Sequence, residues 1–221
     1  MRIDILTLFP NMFNNILEES IIKRAIEKNL VEINLVNFRD YTPLKNGQVD
    51  DTPYGGGSGM VLRCEPIFNA IEAIKTQEAK VILLTPDGTT YDQNMAVSLK
   101  DEKHLILICG HYEGFDERIR TLVDYEISIG DFILTGGEIP AMVLVDSITR
   151  LIDGVITKGS LESESFNDNL LDYPTYTKPR VYNGLEVPEV LTSGDHAKIE
   201  KWRLDEQMKK TEAKRPDLLK K

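Results

Sequence analysis

Cysteine is scarce in this chain: two among 221 residues, Cys64 and Cys109, too few for a disulfide framework and without the paired spacing of a structural metal site. Cys109 closes an apolar run, so the core is its expected place and a reducing cytosol its expected compartment. Long apolar runs are also missing. No stretch reaches the roughly 18 uninterrupted apolar residues of a membrane-spanning helix. The opening MRIDILTLFPNMF has one arginine but no extended apolar segment behind it, so neither a membrane span nor secretion is expected. The usual nucleotide signatures are incomplete. In YGGGSGM, residues 54–60, Met60 stands where the last glycine of a dinucleotide fingerprint belongs, and no lysine follows for a phosphate loop. GVITKGS, residues 154–160, fails in the same way, and a dinucleotide oxidoreductase is thereby disfavoured. Positive charge is in deficit as well, 26 Lys+Arg against 36 Asp+Glu for a net −10, which taken alone argues against a polyanionic partner. The deficit is uneven: residues 1–157 hold 14 basic against 24 acidic side chains, whereas residues 196–221 hold 9 against 5. A basic last segment is compatible both with a solvated helix face and with phosphate contacts.

What is present reads as an α/β chain of one large domain or two small ones. Arg2 to Phe9 is apolar and β-branched enough for a first strand, ended by Pro10. Phe13, Leu17, Ile21 and Ala25, with Ile22 and Ile26 beside them, recur at helical spacing and predict one helix with a buried face. Val31 to Val36 alternates and predicts the next strand. Arg39 to Met60 carries no periodicity, and unpatterned loops of that length are often functional. Ile67, Ala70, Ile71 and Ile74 predict a second helix, and Lys80 to Leu84 a strand that stops at Thr85-Pro86-Asp87-Gly88. Apolar strands alternating with helices imply a mostly parallel sheet buried on both faces.

The densest stretch is Leu105 to Leu151. Leu105 to Cys109 is an apolar run of strand length that ends at Gly110; Ser128, Gly130 and Asp131 interrupt a second run, and Thr135, Gly136 and Gly137 a third. Small residues there leave main-chain N–H and C=O groups bare, which suits recognition of a planar heterocycle; they suit bulges and tight turns equally well. Ile139 to Val145 is apolar on every side, so its helix is expected to be buried. Asp146 and Arg150 stand one helical turn apart, as an ion pair or as a guanidinium held by a carboxylate and aimed at developing negative charge. Lys158 to Asn169 reads as a linker whose carboxylates, Glu162, Glu164 and Asp168, are ordinarily only solvated. Tyr173 to Arg180 mixes aromatics, prolines and basic residues, suited to unpaired bases and phosphates or to a plain strap. Ser193 or Asp195 can cap a final helix with Ile199, Trp202 and Met208 facing inward.

Seven blocks occur in one order: LTLFPNMF, VDDTPYGGGSGM, CGHYEGFDERI, SIGDFILTGGEIPAM, SFNDNLLDYPTYTKP, SGDHAKIEKWR and KRPDLL. Over nearly its whole length the chain resembles the bacterial tRNA (guanine-N1)-methyltransferases that act at guanosine 37, the TrmD family of the SPOUT class. The resemblance implies a trefoil-knotted α/β methyltransferase domain over residues 1–157, a flexible linker over 158–173 and a small, mainly helical tRNA-binding domain over 174–221. It also implies S-adenosyl-L-methionine as methyl donor, tRNA as partner, a homodimer that shares each active site between subunits, and a cytoplasmic location.

Carried over residue by residue, the methyl-donor site falls on Thr85, Pro86, Gly110, Tyr112, Glu113, Ile129, Gly130, Asp131, Phe132, Ile133, Leu134, Gly136, Gly137 and Pro140. The family's arginine matches Arg150. Its general base, an aspartate just before the Ser-Phe of the linker, is here Glu164, a departure that leaves Asp168 as the reserve candidate. N1 of guanine is a poor nucleophile until its proton leaves, and removal puts negative charge on O6; a carboxylate and a cation are the groups such chemistry needs. Mg2+ is compatible with that charge, although no metal-ligand cluster can be read from the residues. Two further departures are His111, where many relatives have arginine, and an ending soon after Arg215-Pro216, from which a C-terminal tRNA contact is expected to be absent or supplied elsewhere. The rival readings are a tRNA-binding module without catalysis and a methyltransferase acting on ribosomal RNA.

Overall fold

In the computed structural model of the chain, residues 1–157, 159 and 164–220 are described, so that part of the predicted linker, Lys158 and Ser160 to Ser163 with Glu162 among them, lies outside the described residues. The backbone forms two compact units, Met1–Ile156 and Thr157–Lys221.

The first unit is α/β. Strands β1 (Arg2–Thr7), β2 (Glu32–Asn37), β5 (Ala79–Thr90), β6 (His104–Ile108) and β7 (Tyr125–Ser128) form a five-stranded sheet in the order β2-β1-β6-β5-β7, and every neighbouring pair is parallel. Short strands β3 (Asp50–Asp51) and β4 (Val61–Leu62) pair antiparallel beside it. The central strands read as unbroken apolar runs because both their faces are covered. On one face Ile3, Ile82, Leu105 and Leu107 pack with Ile22, Leu99, Leu144 and Ile148. These last come from helices α2 (Ser20–Glu27), α4 (Gln93–Leu99) and α5 (Glu138–Thr149). On the other face Leu6, Leu83, Ile106 and Ile108 pack with Ile67 and Ala70 of α3 (Cys64–Ile74).

Three elements differ from the sequence expectation. The helix predicted from Phe13 to Ile26 is broken into a 3-10 turn (Pro10–Phe13), a short α1 (Asn14–Leu17) and α2. Ser20 has a left-handed φ of 54°, which rotates the second piece so that Ile22 and Ala25 are buried while Ile21 is half-buried. Helix α5 is not buried all round: Ile139 and Val143, one turn apart, are 47% and 40% exposed. Strand β5 does not stop at Leu84. Residues Leu84 and Thr89 both pair with Ile127, so Thr85 to Gly88 is extruded as a bulge. Gly88 permits this, since a Cβ there would stand 2.5 Å from the Glu126 carbonyl carbon and the Ile127 nitrogen.

The amino ends of the strands carry a polar cluster. Asp4 is fully buried, accepts from Arg2 Nη2 at 2.7 Å and Asn34 Nδ2 at 2.9 Å, and lies 2.9 Å from His104 Nε2. The other ring nitrogen of His104 meets Thr76 Oγ1 at 2.9 Å. A buried acceptor with this many partners holds β1, β2 and β6 in register, and losing it strands groups that have no water to turn to. Asp4→Asn is expected to lower the unfolding free energy by about 1–3 kcal/mol, read from the urea midpoint at unchanged slope; an unchanged midpoint would deny the cluster this role.

In the second unit α6 (His196–Lys214) is capped by Asp195, whose carboxylate accepts from Lys198 N at 3.1 Å. The extended segment before it is fastened to this helix. Leu171 N donates to Thr211 Oγ1 at 2.9 Å, Lys210 Nζ to Asp172 O at 2.7 Å, and the Arg203 guanidinium lies 4.8 Å from the Tyr173 ring centroid. Trp202 is half-buried against Tyr176, ring centroids 6.5 Å apart. Met208, expected inward, is 41% exposed, because the buried line of this helix runs through Thr211 instead. Strands β8 (Val181–Tyr182) and β9 (Leu185–Glu186) form a hairpin around Asn183-Gly184, both left-handed as a tight two-residue turn requires.

Candidate functional site

Parallel sheets bind ligands beyond the carboxyl ends of their strands, where loops diverge and main-chain groups are left unpaired. Here the ends of β5, β6 and β7 lie side by side, and the loops leaving them enclose a cleft of about 440 Å³. The β5 bulge contributes Thr85, Pro86 and Asp87; the loop after β6 contributes Gly110 to Phe115; the segment after β7 contributes Ile129, Gly130 and Phe132 to Gly137, with Pro140 from the first turn of α5. All the residues assigned by resemblance to the methyl-donor site line this cleft except Asp131, which is exposed and is not among the lining residues.

The glycines are required by how closely these segments cross. A Cβ on Gly137 would stand 2.7 Å from Cys109 Cα and 2.8 Å from Gly110 N, and the Gly137 N–H donates to the Gly110 carbonyl at 2.9 Å. A Cβ on Gly110 would meet the Phe115 ring at 2.5 Å. The result is a wall of bare main chain at Gly110, Gly130 and Gly136 opposite apolar side chains, of which Phe132, Ile133 and Leu134 are substantially exposed.

The polar groups of the cleft are held from behind. Arg120 lines it and donates to Asp87 Oδ2 at 2.8 Å, to Glu117 Oε2 at 3.1 Å and, in a very short contact, to Glu126. The hydrogen bond to Glu126 is the largest influence raising the Arg120 pKa above its ordinary value. The hydrogen bond from Thr85, with the charge of Arg120, keeps Asp87 below the usual carboxylate range. Arg120 thus fastens the bulge. Sequence reasoning missed it, because its partners share no periodicity with it. Cys109 is fully buried, and burial, with the nearby charge of Glu138, pushes its thiol well up; a thiol so placed is no nucleophile.

The glycine-rich loop abuts the same place. Glu113 N donates to Met60 O at 3.0 Å and Leu62 N to Gly114 O at 2.9 Å, and a Cβ on Gly59 would run into the Glu113 side chain at 2.4 Å. Tyr54, at the start of the loop, is fully exposed, and Gly55, Gly56 and Gly57 behind it are all left-handed.

The remaining candidates are not brought into the cleft by this unit. Arg150 follows the last turn of α5, its N–H donating to the Asp146 carbonyl at 3.2 Å. Ten residues of helix, about 15 Å, separate it from Pro140, and it is not among the residues that line the cleft. Glu164 and Asp168 belong to the second unit. Glu164 is half-buried, and Asp168 is exposed with a left-handed φ of 49°. Among the described residues no group of three or more His, Cys, Asp or Glu is arranged to hold a metal ion. No described helix is long and apolar enough to cross a membrane.

A sequence model of the family described as tRNA (Guanine-1)-methyltransferase TrmD matches residues 1–221. A protein of Malacoplasma penetrans is 60% identical over 218 residues, spanning 99% of this chain and 96% of its own length. Proteins of Staphylococcus carnosus and Ruminiclostridium cellulolyticum are each 54% identical, over 222 and 226 residues, with 91% and 97% of their own lengths covered. All three carry the name tRNA (guanine-N(1)-)-methyltransferase.

Proposed function

Because the chain belongs to the tRNA (guanine-1)-methyltransferase family of S-adenosylmethionine-dependent enzymes, we propose that it transfers a methyl group from S-adenosyl-L-methionine to N1 of guanosine 37 in tRNA. The observation that carries this reading is the closure of three loops over bare main chain at Gly110, Gly130 and Gly136. Such a wall takes the edge of a purine, and Pro86, Ile129, Leu134 and Pro140 offer the apolar contacts that its faces and a sulfonium's alkyl groups need. The fourteen residues of the donor site are assigned on that basis, Asp131 on the resemblance alone. Close passage of Gly137 over Cys109 and Gly110 also supports threading of this stretch into a trefoil knot.

Methyl transfer from a sulfonium asks mainly for alignment of the methyl group with N1. The protein's part is to remove the N1 proton and to balance the charge left on O6. We assign the first task to Glu164, with Asp168 in reserve, and the second to Arg150. Arg150 stands about 15 Å of helix from the cleft of its own chain, so the reading requires a second copy, whose Arg150 completes the site. The exposed apolar pair Ile139 and Val143 at the cleft end of α5 supports such a homodimer. No step is assigned to Mg2+. With residues 158–173 as linker and 174–221 as tRNA-binding domain, the basic excess of the last segment neutralises phosphates. The compartment follows from tRNA as substrate: the cytoplasm.

Incubation with labelled methyl donor and tRNA tests the assignment: label on N1 of guanosine 37 is expected, whereas label on a ribose oxygen, another base or ribosomal RNA would reject it. Absence of product in a single turnover, despite tight tRNA binding, would favour the binding module instead. Affinity for tRNA is expected to fall with salt, with a log–log slope of about 0.7 to 0.9 per phosphate neutralised. A slope near zero would remove the basic segment from the interface.

A further inference from the structure

Behind the cleft lies a carboxylate that the proposed chemistry leaves unused. Glu138, the first residue of α5, is 1% exposed and does not line the cleft. A carboxylate taken out of water is tolerated only where polar groups replace the water, and Glu138 has one such group beside each oxygen, both brought from elsewhere in the chain. Thr7, the last residue of β1, donates its hydroxyl to Oε1 at 2.7 Å, and the same hydroxyl oxygen accepts from Phe9 N at 2.9 Å. His111, in the loop after β6, sets its Nε2 3.2 Å from Oε2, and its ring lies against that of Phe9 with centroids 4.6 Å apart. Gly136 completes the fit, since a Cβ there would stand 2.4 Å from His111 Nε2 and 2.5 Å from Glu138 Oε2.

We propose that Glu138 is a positioning residue for methyl-donor binding: one buried carboxylate ties the end of β1, the Gly110 to Phe115 loop and the turn before α5, and so fixes the cleft wall. The proposal deepens the donor-site reading and rests on it. What needs fixing is visible next to His111. Tyr112 has a φ of 59°, a left-handed conformation that a residue with a Cβ holds only where its surroundings enforce it. Tyr112 and the following Glu113 both line the cleft, so an unanchored His111 lets this wall relax out of the shape the ligand meets. Binding then costs the reordering, while the reacting groups, carried elsewhere, are untouched.

Thr7→Val keeps the volume of the side chain and removes its hydroxyl; Thr7→Ser keeps the hydroxyl. With the full chain and tRNA, Thr7→Val is expected to raise KM for S-adenosylmethionine about tenfold with kcat changed less than about threefold, and Thr7→Ser to stay within about twofold of the unmodified protein. Glu138→Gln, which replaces one carboxylate oxygen by an NH2 group, is expected to shift KM in the same direction. Thermal melts of each variant separate unfolding from loss of position. A carboxylate that serves stability alone would lower the melting temperature and leave KM where it was, and an unchanged KM in both Thr7→Val and Glu138→Gln overturns the proposal. Failure of the unmodified protein to bind S-adenosylmethionine would bring down the donor-site reading itself, and this proposal with it.

Discussion

Glu164→Gln is expected to slow methyl transfer in a single turnover by about 10²–10⁴-fold, the usual contribution of a positioned general base, while affinity for the methyl donor stays within about twofold. The amide has nearly the shape of the carboxylate, but it cannot accept the N1 proton at neutral pH. Without that transfer N1 keeps its proton and has no electron pair to present. Glutamate in place of the family's aspartate adds one methylene, which a linker can absorb by a small change of backbone. Asp168, with its exposed side chain and left-handed backbone, is the alternative. Full single-turnover activity in Glu164→Gln together with its loss in Asp168→Asn would move the role four residues along; activity in both would remove the linker from the chemistry.

Gly137→Ala is expected to weaken methyl-donor binding by on the order of 10²-fold or more, measured by titration calorimetry, in protein that still melts cooperatively. The added methyl would stand 2.7 Å from Cys109 Cα and 2.8 Å from Gly110 N. Both are main-chain atoms, and neither can swing aside as the end of a side chain can. Either the turn before α5 or the end of β6 must move, and both border the cleft. Overpacking of this kind costs about 1–3 kcal/mol even where the surroundings can adapt. Here it is coupled to the bond from Gly137 N–H to the Gly110 carbonyl, 2.9 Å long. Gly136→Ala is the informative neighbour, because its clash is with the side chains of His111 and Glu138 and not with main chain, so its smaller loss of affinity reports on that anchor alone. A Gly137→Ala protein that binds the methyl donor as tightly as Gly136→Ala would mean that the crossing of these segments does not shape the site.

The strands were legible because a sheet covered on both faces needs uninterrupted apolar runs, and Leu105 to Ile108 or Val81 to Leu84 can be little else. The glycine turns were legible as bare main chain, though not as a cleft, because the crossing of Gly137 over Cys109 that brings their loops together is not written in the spacing. What stayed hidden depends on single torsions or on distant partners. The left-handed Ser20 breaks a helix whose apolar spacing runs on undisturbed. The outward face of α5, Ile139 and Val143, has the same composition as its buried face. Arg120 and Glu138 look like solvated charges in a string of residues. Their roles appear only when Asp87 is brought to one and Thr7 to the other, across 33 and 131 positions.

The measurement that bears most directly on the donor-site claim is a crystal structure of the chain with S-adenosylhomocysteine. The expected result is ligand density in the cleft bounded by Thr85 to Gly88, Gly110 to Phe115 and Ile129 to Gly137. Density at any other place, with that cleft left open, would contradict the account.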